Sequence, residues 1–276
     1  MKKRGRFTLG QLLLSAVMVL LALTMLIPML NILAKSFSDP ALSPSMSGLR
    51  VIPAGFSTVN YDIVFSNKVI LPTLWNSIFI TVVGTAINIL LTTSAAYVLI
   101  QPGLMFKKII MTFLIVMMLF DPGLVPEYLL VKQLGLIGSQ WSVILVTSVK
   151  VYYLIIMMRY FQAVPMDIYE AARIDGANEL QIFTRIMFPL GSSVTVTLTI
   201  FSFMWRWNDY ILPLLVLSDQ KKYTIQIAIK NFIGNLGVDW SSILAASVLS
   251  ILPVIVIFIF LQKYIIGGIS ASGVKG

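Results

Sequence analysis

"EAARIDGANELQIFTRIMFP", residues 170–189, is polar and helix-forming and lies between runs suited to lipid. Its charged side chains, Glu170, Arg173, Asp175, Glu179 and Arg185, stand in a chain that is 58% hydrophobic and only 11% charged. Soluble domains carry roughly 25% charged residues, so this composition is that of an integral membrane protein. A charged, helical stretch in its middle calls for a purpose.

Locally, Pro165 suits the first turn of a helix. Ile168, Ala171 and Ala172 then recur at three- and four-residue intervals, which predicts one narrow apolar face with Asp167, Glu170 and Arg173 turned elsewhere. Gly176 is placed to end that helix. A second amphipathic helix is expected from about Asn178, with Leu180, Phe183 and Met187 on one side, until Pro189 closes it and opens the next apolar run. A plain connecting loop between packed spans is normally only a few residues long. A helix lying on lipid would be rich in Lys and Arg on its polar face, whereas this stretch has more acidic than basic residues. A protein partner remains as the reader of this surface.

The flanking runs predict an all-α integral membrane protein with six transmembrane helices, at about 9–34, 74–100, 107–130, 141–161, 189–217 and 243–266, forming one domain over 1–276. The first apolar run is longer than a secretory signal core and lacks a small-residue cleavage site, so it is expected to stay as a span. The second carries Gly84, Ala86, Ser94, Ala95 and Ala96, which permit close helix packing. Pro253 is expected to kink the sixth. Basic residues beside the short loops place both termini, and residues 162–189, on the cytoplasmic side. The outer segments, about 35–73 and 218–240, have the Gly, Pro, aromatic and apolar content of ordered, packed loops.

Several function classes drop out. The net charge of +9 comes from basic residues scattered beside apolar runs, which sets orientation and does not suggest nucleic acid. Cysteine and histidine are both absent, excluding disulfides, Cys/His metal sites and His- or Cys-dependent catalysis. No G-x-x-x-x-G-K-[ST] loop occurs, so the chain does not bind ATP by that route. An intramembrane enzyme has no catalytic constellation to rest on. An ion-coupled secondary transporter or channel is the alternative, but it usually needs embedded carboxylates or inverted repeats. Here Asp121 is nearly alone among acidic residues expected at depth, and no repeat is visible.

Ionisable and aromatic residues within the spans mark a pathway. Burying a charge costs about 2.5–3.5 kcal/mol on insertion scales. Lys150, within "VILVTSVKVYYLIIM", therefore either faces the pathway, where it would attract an acidic sugar such as a uronate or sialate, or pairs with an acidic group on this chain or a partner. Asp121, beside Pro122 and Gly123, is expected where the third span breaks. Trp205, Trp207, Asn208 and Tyr210 offer aromatic faces and polar groups suited to a sugar. The same composition serves an interfacial belt or packing, the favoured role. Arg206 and Asp209 are spaced to pair at i,i+3.

Glu170-Ala171-Ala172, three residues, Gly176, nine residues, Ile186, one residue and Phe188-Pro189 together resemble the EAA loop of membrane subunits in ATP-binding-cassette (ABC) importers. The leucine usual before the final proline is replaced by Phe188, which keeps bulk and apolarity. "FSFMWRWNDYILPLLVL" (201–217) and "QKYIIGGISASGVKG" (262–276) are similar to the maltose-permease type of carbohydrate importer, and "MLFDPGLVPEYLLVKQLGLI" (118–137) resembles a subgroup handling oligosaccharides and polysaccharide fragments. The resemblance implies a non-catalytic permease subunit of a binding-protein-dependent sugar importer in the bacterial cytoplasmic membrane, with no cofactor of its own. Its implied partners are a second homologous permease forming a heterodimer, two ATPase subunits that bind ATP and magnesium, an external sugar-binding protein, and surrounding lipid. It further implies that the EAA helix seats on the ATPase. Glu170 would make a polar contact there, Ala171 and Ala172 would permit close approach, Asp175 and Gly176 would form the bend, and Ile186 and Pro189 would complete the motif.

Overall fold

The structure, a computed structural model, describes residues 9–42, 48–120, 122–235 and 240–272. It is helical in nearly all of them. The first elements are α1 (Leu9–Ser36), α2 (Val59–Ser66), α3 (Ile70–Ile100), α4 (Lys107–Leu119), α5 (Leu124–Gln133), α6 (Gln140–Val146) and α7 (Val151–Gln162). Next come α8 (Met166–Ile174), α9 (Glu179–Ile182), a π turn (Phe183–Met187) and α10 (Phe188–Leu190). The chain ends with α11 (Ser192–Trp207), α12 (Ile211–Val216), α13 (Ile225–Asn235) and α14 (Trp240–Ser272). Among the described residues α1, α3 and α14 are each long and apolar enough to cross a membrane. Three bent pairs, α4 with α5, α6 with α7, and Glu179–Leu190 with α11, bring the candidate spans to as many as six. Pro28 and Pro253 lie inside α1 and α14.

The chain divides into two compact units. The first comprises Met1–Ile70 and Ile229–Ile251. In it the segment after α1 is ordered as its composition suggests. Asn60 is buried on α2 and donates to the carbonyls of Ser36 and Ser38. Asn31 donates to the carbonyl of Arg50 at 2.6 Å, and Phe37 packs against the rings of both Phe56 and Tyr61.

The second unit comprises Leu71–Ala228 and Leu252–Gly276. Its α3 buries a polar stripe: Thr73, Ser77, Thr81, Thr85, Asn88 and Thr92, spaced by three or four residues so that all share one face. Small hydroxyl side chains let backbones approach closely, as in membrane helix packing generally. Two cores form around α3. One gathers Tyr97, Met157, Met158, Phe161, Tyr169, Ile182, Met187 and Leu198. The other gathers Ile80, Val131, Val143, Ile144, Leu212, Val216 and Leu217. The segment after α12 packs as expected, with Ile225 and Ile227 buried and the Ile225 amide donating to the Ser77 hydroxyl.

Three local expectations need correction. The fourth apolar run is two helices, α6 and α7, bent by 46°, and Lys150 caps the second of them, so it does not sit mid-helix. In α8 the inward residues are Tyr169 and Ala172, while Ile168 and Ala171 are exposed. Past Gly176, Ile182 and Met187 are fully buried and Leu180 is exposed. The cause is the π turn: its i→i+5 bonding brings residues five apart onto one side, which a 3.6-residue period cannot foresee. The same turn admits Pro189, which lacks the donor for an ordinary helical bond. The helix therefore continues past Pro189 to Leu190 and turns 77° at Gly191 instead.

Candidate functional site

Breaks between helices have unpaired backbone groups, so at membrane depth they survive only where protein or water can satisfy them. Three breaks in the second unit supply residues to one cavity of about 860 Å³. Gly123 and Leu124 come from the break between α4 and α5, Lys150 from that between α6 and α7, and Asn208, Asp209 and Tyr210 from that between α11 and α12. Glu127, Met204 and Trp205 add to the wall.

Of the pathway candidates, Lys150, Trp205, Asn208 and Tyr210 are thus brought together. The Lys150 ammonium lies 3.8 Å from the centroid of the Trp205 ring, a cation–π contact. Lys150 also acts electrostatically on Asp209, whose carboxylate sits beside the amides of Ile211 and Leu212 at the start of α12. Asn208 bonds back to the Met204 carbonyl through Nδ2 at 2.8 Å. Trp207 is elsewhere, buried and stacked on Phe203. Asp121 lies outside the described residues.

Arg206 does not make its hydrogen bonds to Asp209. Its buried guanidinium donates to the hydroxyl and the carbonyl of Thr147, where α6 ends. Gly84 makes room for it, since a Cβ there would lie 2.8 Å from Nη1. Asn88, also on α3, donates to the neighbouring Ser148 carbonyl at 2.9 Å. These groups hold the break that presents Lys150. Composition gave no sign of them, because Thr147, Asn88 and Gly84 are ordinary residues until the helices meet.

The second candidate surface is the α8–α9 hinge. Gly176 has φ +80°, the left-handed conformation that favours glycine, and its amide donates to the Arg173 carbonyl. Asn178 and Gln181 form a reciprocal capping box that starts α9. Glu170, Ala171 and Asp175 are exposed, as is Ile174 at 85%, while Ala172 is buried and Ile186 half-buried against the core. The hinge is fastened to α3. The Tyr97 hydroxyl donates to Glu179 at 2.5 Å, and Arg173 pairs with the other oxygen of that carboxylate at 2.7 Å. The hydrogen bond from Tyr97, followed by Arg173, holds the Glu179 carboxyl below the usual carboxylate range against some desolvation. Burial pushes the Tyr169 phenol beneath α8 up to about 12, so it stays neutral. Glu179 and Tyr97 were not among the residues singled out from the sequence.

Residues 107–270 match the family described as the binding-protein-dependent transport system inner membrane component. The chain belongs to this family. As a permease it is 32% identical to the polygalacturonan/rhamnogalacturonan transport system permease protein YtcP of Bacillus subtilis, over 94% of this chain and 96% of that one. Protein LplC of the same organism is 34% identical over 91% and 90% of the two chains. The permease also superposes on a chain from the crystal structure of a bacterial ABC transporter involved in the import of the acidic polysaccharide alginate. That match has a TM-score of 0.84 and 26% identity, and covers 94% of this chain and 99% of that one.

Proposed function

We propose that this permease forms half of the membrane pathway of a binding-protein-dependent ABC importer for a sugar or oligosaccharide. In this reading it has six spans with both termini in the cytoplasm, and residues 162–189 form a cytoplasmic loop that couples to an ATPase. The observation that carries it is the hinge: α8 turns Glu170, Ala171 and Ile174 outward while its other side is fastened to a membrane helix through Arg173, Glu179 and Tyr97. An exposed face on a braced element suits a partner that pushes. The pathway is the cavity at the three helix breaks, where Trp205, Asn208 and Tyr210 offer a sugar one ring face and several polar groups.

Complex oligosaccharides are the substrate class favoured by the relatives, of which YtcP is named for polygalacturonan and rhamnogalacturonan. An acidic one would give Lys150 a counter-charge at the wall, in competition with Asp209. The complex would comprise this chain, a second permease, two ATPase subunits holding ATP and magnesium, and an external binding protein. The test is reconstitution in liposomes with these partners. ATP-dependent saccharide uptake, stimulated by loaded binding protein, is expected. Uptake by this chain alone, driven by an ion gradient, would overturn the reading in favour of a secondary transporter.

A further inference from the structure

Building on that coupling reading, we propose that α3 carries the movement of the α8–α9 hinge to the wall of the cavity, gripping the hinge through Tyr97 and Glu179 and the wall through Asn88 and Gly84. At the hinge end, Tyr97 donates to Glu179 and its ring packs on Tyr169 and Phe183, one from each side of the bend. Gln101, one turn further along α3, accepts from Arg173 at 3.4 Å. At the cavity end, Asn88 holds the Ser148 carbonyl. Gly84 lies against the Arg206 guanidinium that holds Thr147. Both grips fall on the break that presents Lys150, and Arg206 directly follows Trp205, which carries the cation–π contact.

The two ends are about 20 Å apart along one unbroken helix, since 13 residues separate Gly84 from Tyr97 at about 1.5 Å each. A straight α-helix transmits axial displacement, whereas the routes through α7 and α11 pass through corners at 147–150 and Gly191. The polar stripe of α3 ties it to the wall by directional bonds. The element that feels the hinge is thereby the element that positions the cation facing the cargo.

The native chain has no cysteine, so one placed at Met204, in the cavity wall, is a specific reporter. Met204→Cys would be introduced into the full complex, and its rate of modification by a water-soluble maleimide measured with and without ATP and magnesium. The wild-type background should show a severalfold change in rate. Glu179→Gln, Tyr97→Phe and Asn88→Ala should each abolish most of that change and raise the ATP hydrolysed per saccharide imported, with the ATPase still bound and active. Glu179 is exposed and the Asn178–Gln181 cap is untouched, so Glu179→Gln should fold normally. An equal ATP response in Glu179→Gln and Tyr97→Phe would overturn the route through α3. A chain that holds no ATPase even with its hinge intact would overturn the coupling reading, and this inference with it.

Discussion

Gly191 and Phe161 meet so closely that a Cβ on the glycine would come within 2.8 Å of the ring's Cε1. The contact sits at the 77° corner between Leu190 and Ser192, and it brings α11 down onto α7. The backbone at Gly191 has φ −75°, so space alone demands glycine there. Met157 could swing its flexible end away, but the Phe161 ring is fully buried. Gly191→Val should therefore destabilise the permease by about 1–3 kcal/mol, the usual cost of overpacking. A thermal unfolding midpoint in detergent unchanged from wild type would contradict this.

Gly176 presents the opposite case. Nothing lies within 4 Å of a Cβ built on it, so only its φ of +80° resists substitution. Gly176→Ala should cost about 1–2 kcal/mol locally, the penalty of a left-handed residue. Gly176→Pro also removes the amide bonded to the Arg173 carbonyl. It should uncouple ATP hydrolysis from uptake while membrane insertion, assayed by fractionation, is retained. Wild-type transport by the proline variant would refute the role of the bend.

Lys150 faces a wall that also bears Asp209 and Glu127. Bonds to a charged partner are worth about 1.5–3 kcal/mol, so Lys150→Gln should weaken uptake of an acidic oligosaccharide about tenfold or more at limiting concentration. Neutral oligosaccharides should be affected much less. Equal losses for both cargoes would assign Lys150 to holding Trp205 and Asp209 in place, and would remove the case for an acidic substrate.

Glu179 gives the hinge a definite pH signature. Its folded pKa is depressed, so its contribution is fully present above the ordinary glutamate value of about 4.3 and is lost as pH falls through the lowered one. The stability difference between wild type and Glu179→Gln should be flat from neutral pH down to mild acid, then shrink in strong acid. Thermal unfolding across that range checks it, and a difference that changed near neutrality would show that another group is responsible.

Much of the fold was legible because lipid imposes a simple rule on composition. The apolar runs give α1, α3 and α14 closely, and "FDPGLVP" marks the break between α4 and α5. The residue spacing around Gly176 gives the hinge, whose left-handed backbone requires glycine. What stayed hidden depends on partners distant in sequence. The break before Lys150 is held by Asn88 and Arg206, from two other helices, so "VILVTSVKVYYLIIM" reads as a continuous span. Four pathway candidates converge on one cavity, but Trp207, equivalent by composition to Trp205, turns inward to Phe203. The burial of Ile182 and Met187 follows from a π turn that local periodicity does not encode.

That π turn also sets the aim of everything after it. Each residue advances a helix by about 100°, so a single deletion within Phe183–Met187, restoring an ordinary ladder, would swing the downstream chain through more than a quarter circle. Gly191 would then open its narrow side away from Phe161, and α11 would leave on a different heading. In this part of the molecule chain length matters more than side-chain identity, and an exchange of one residue for another is the gentler injury.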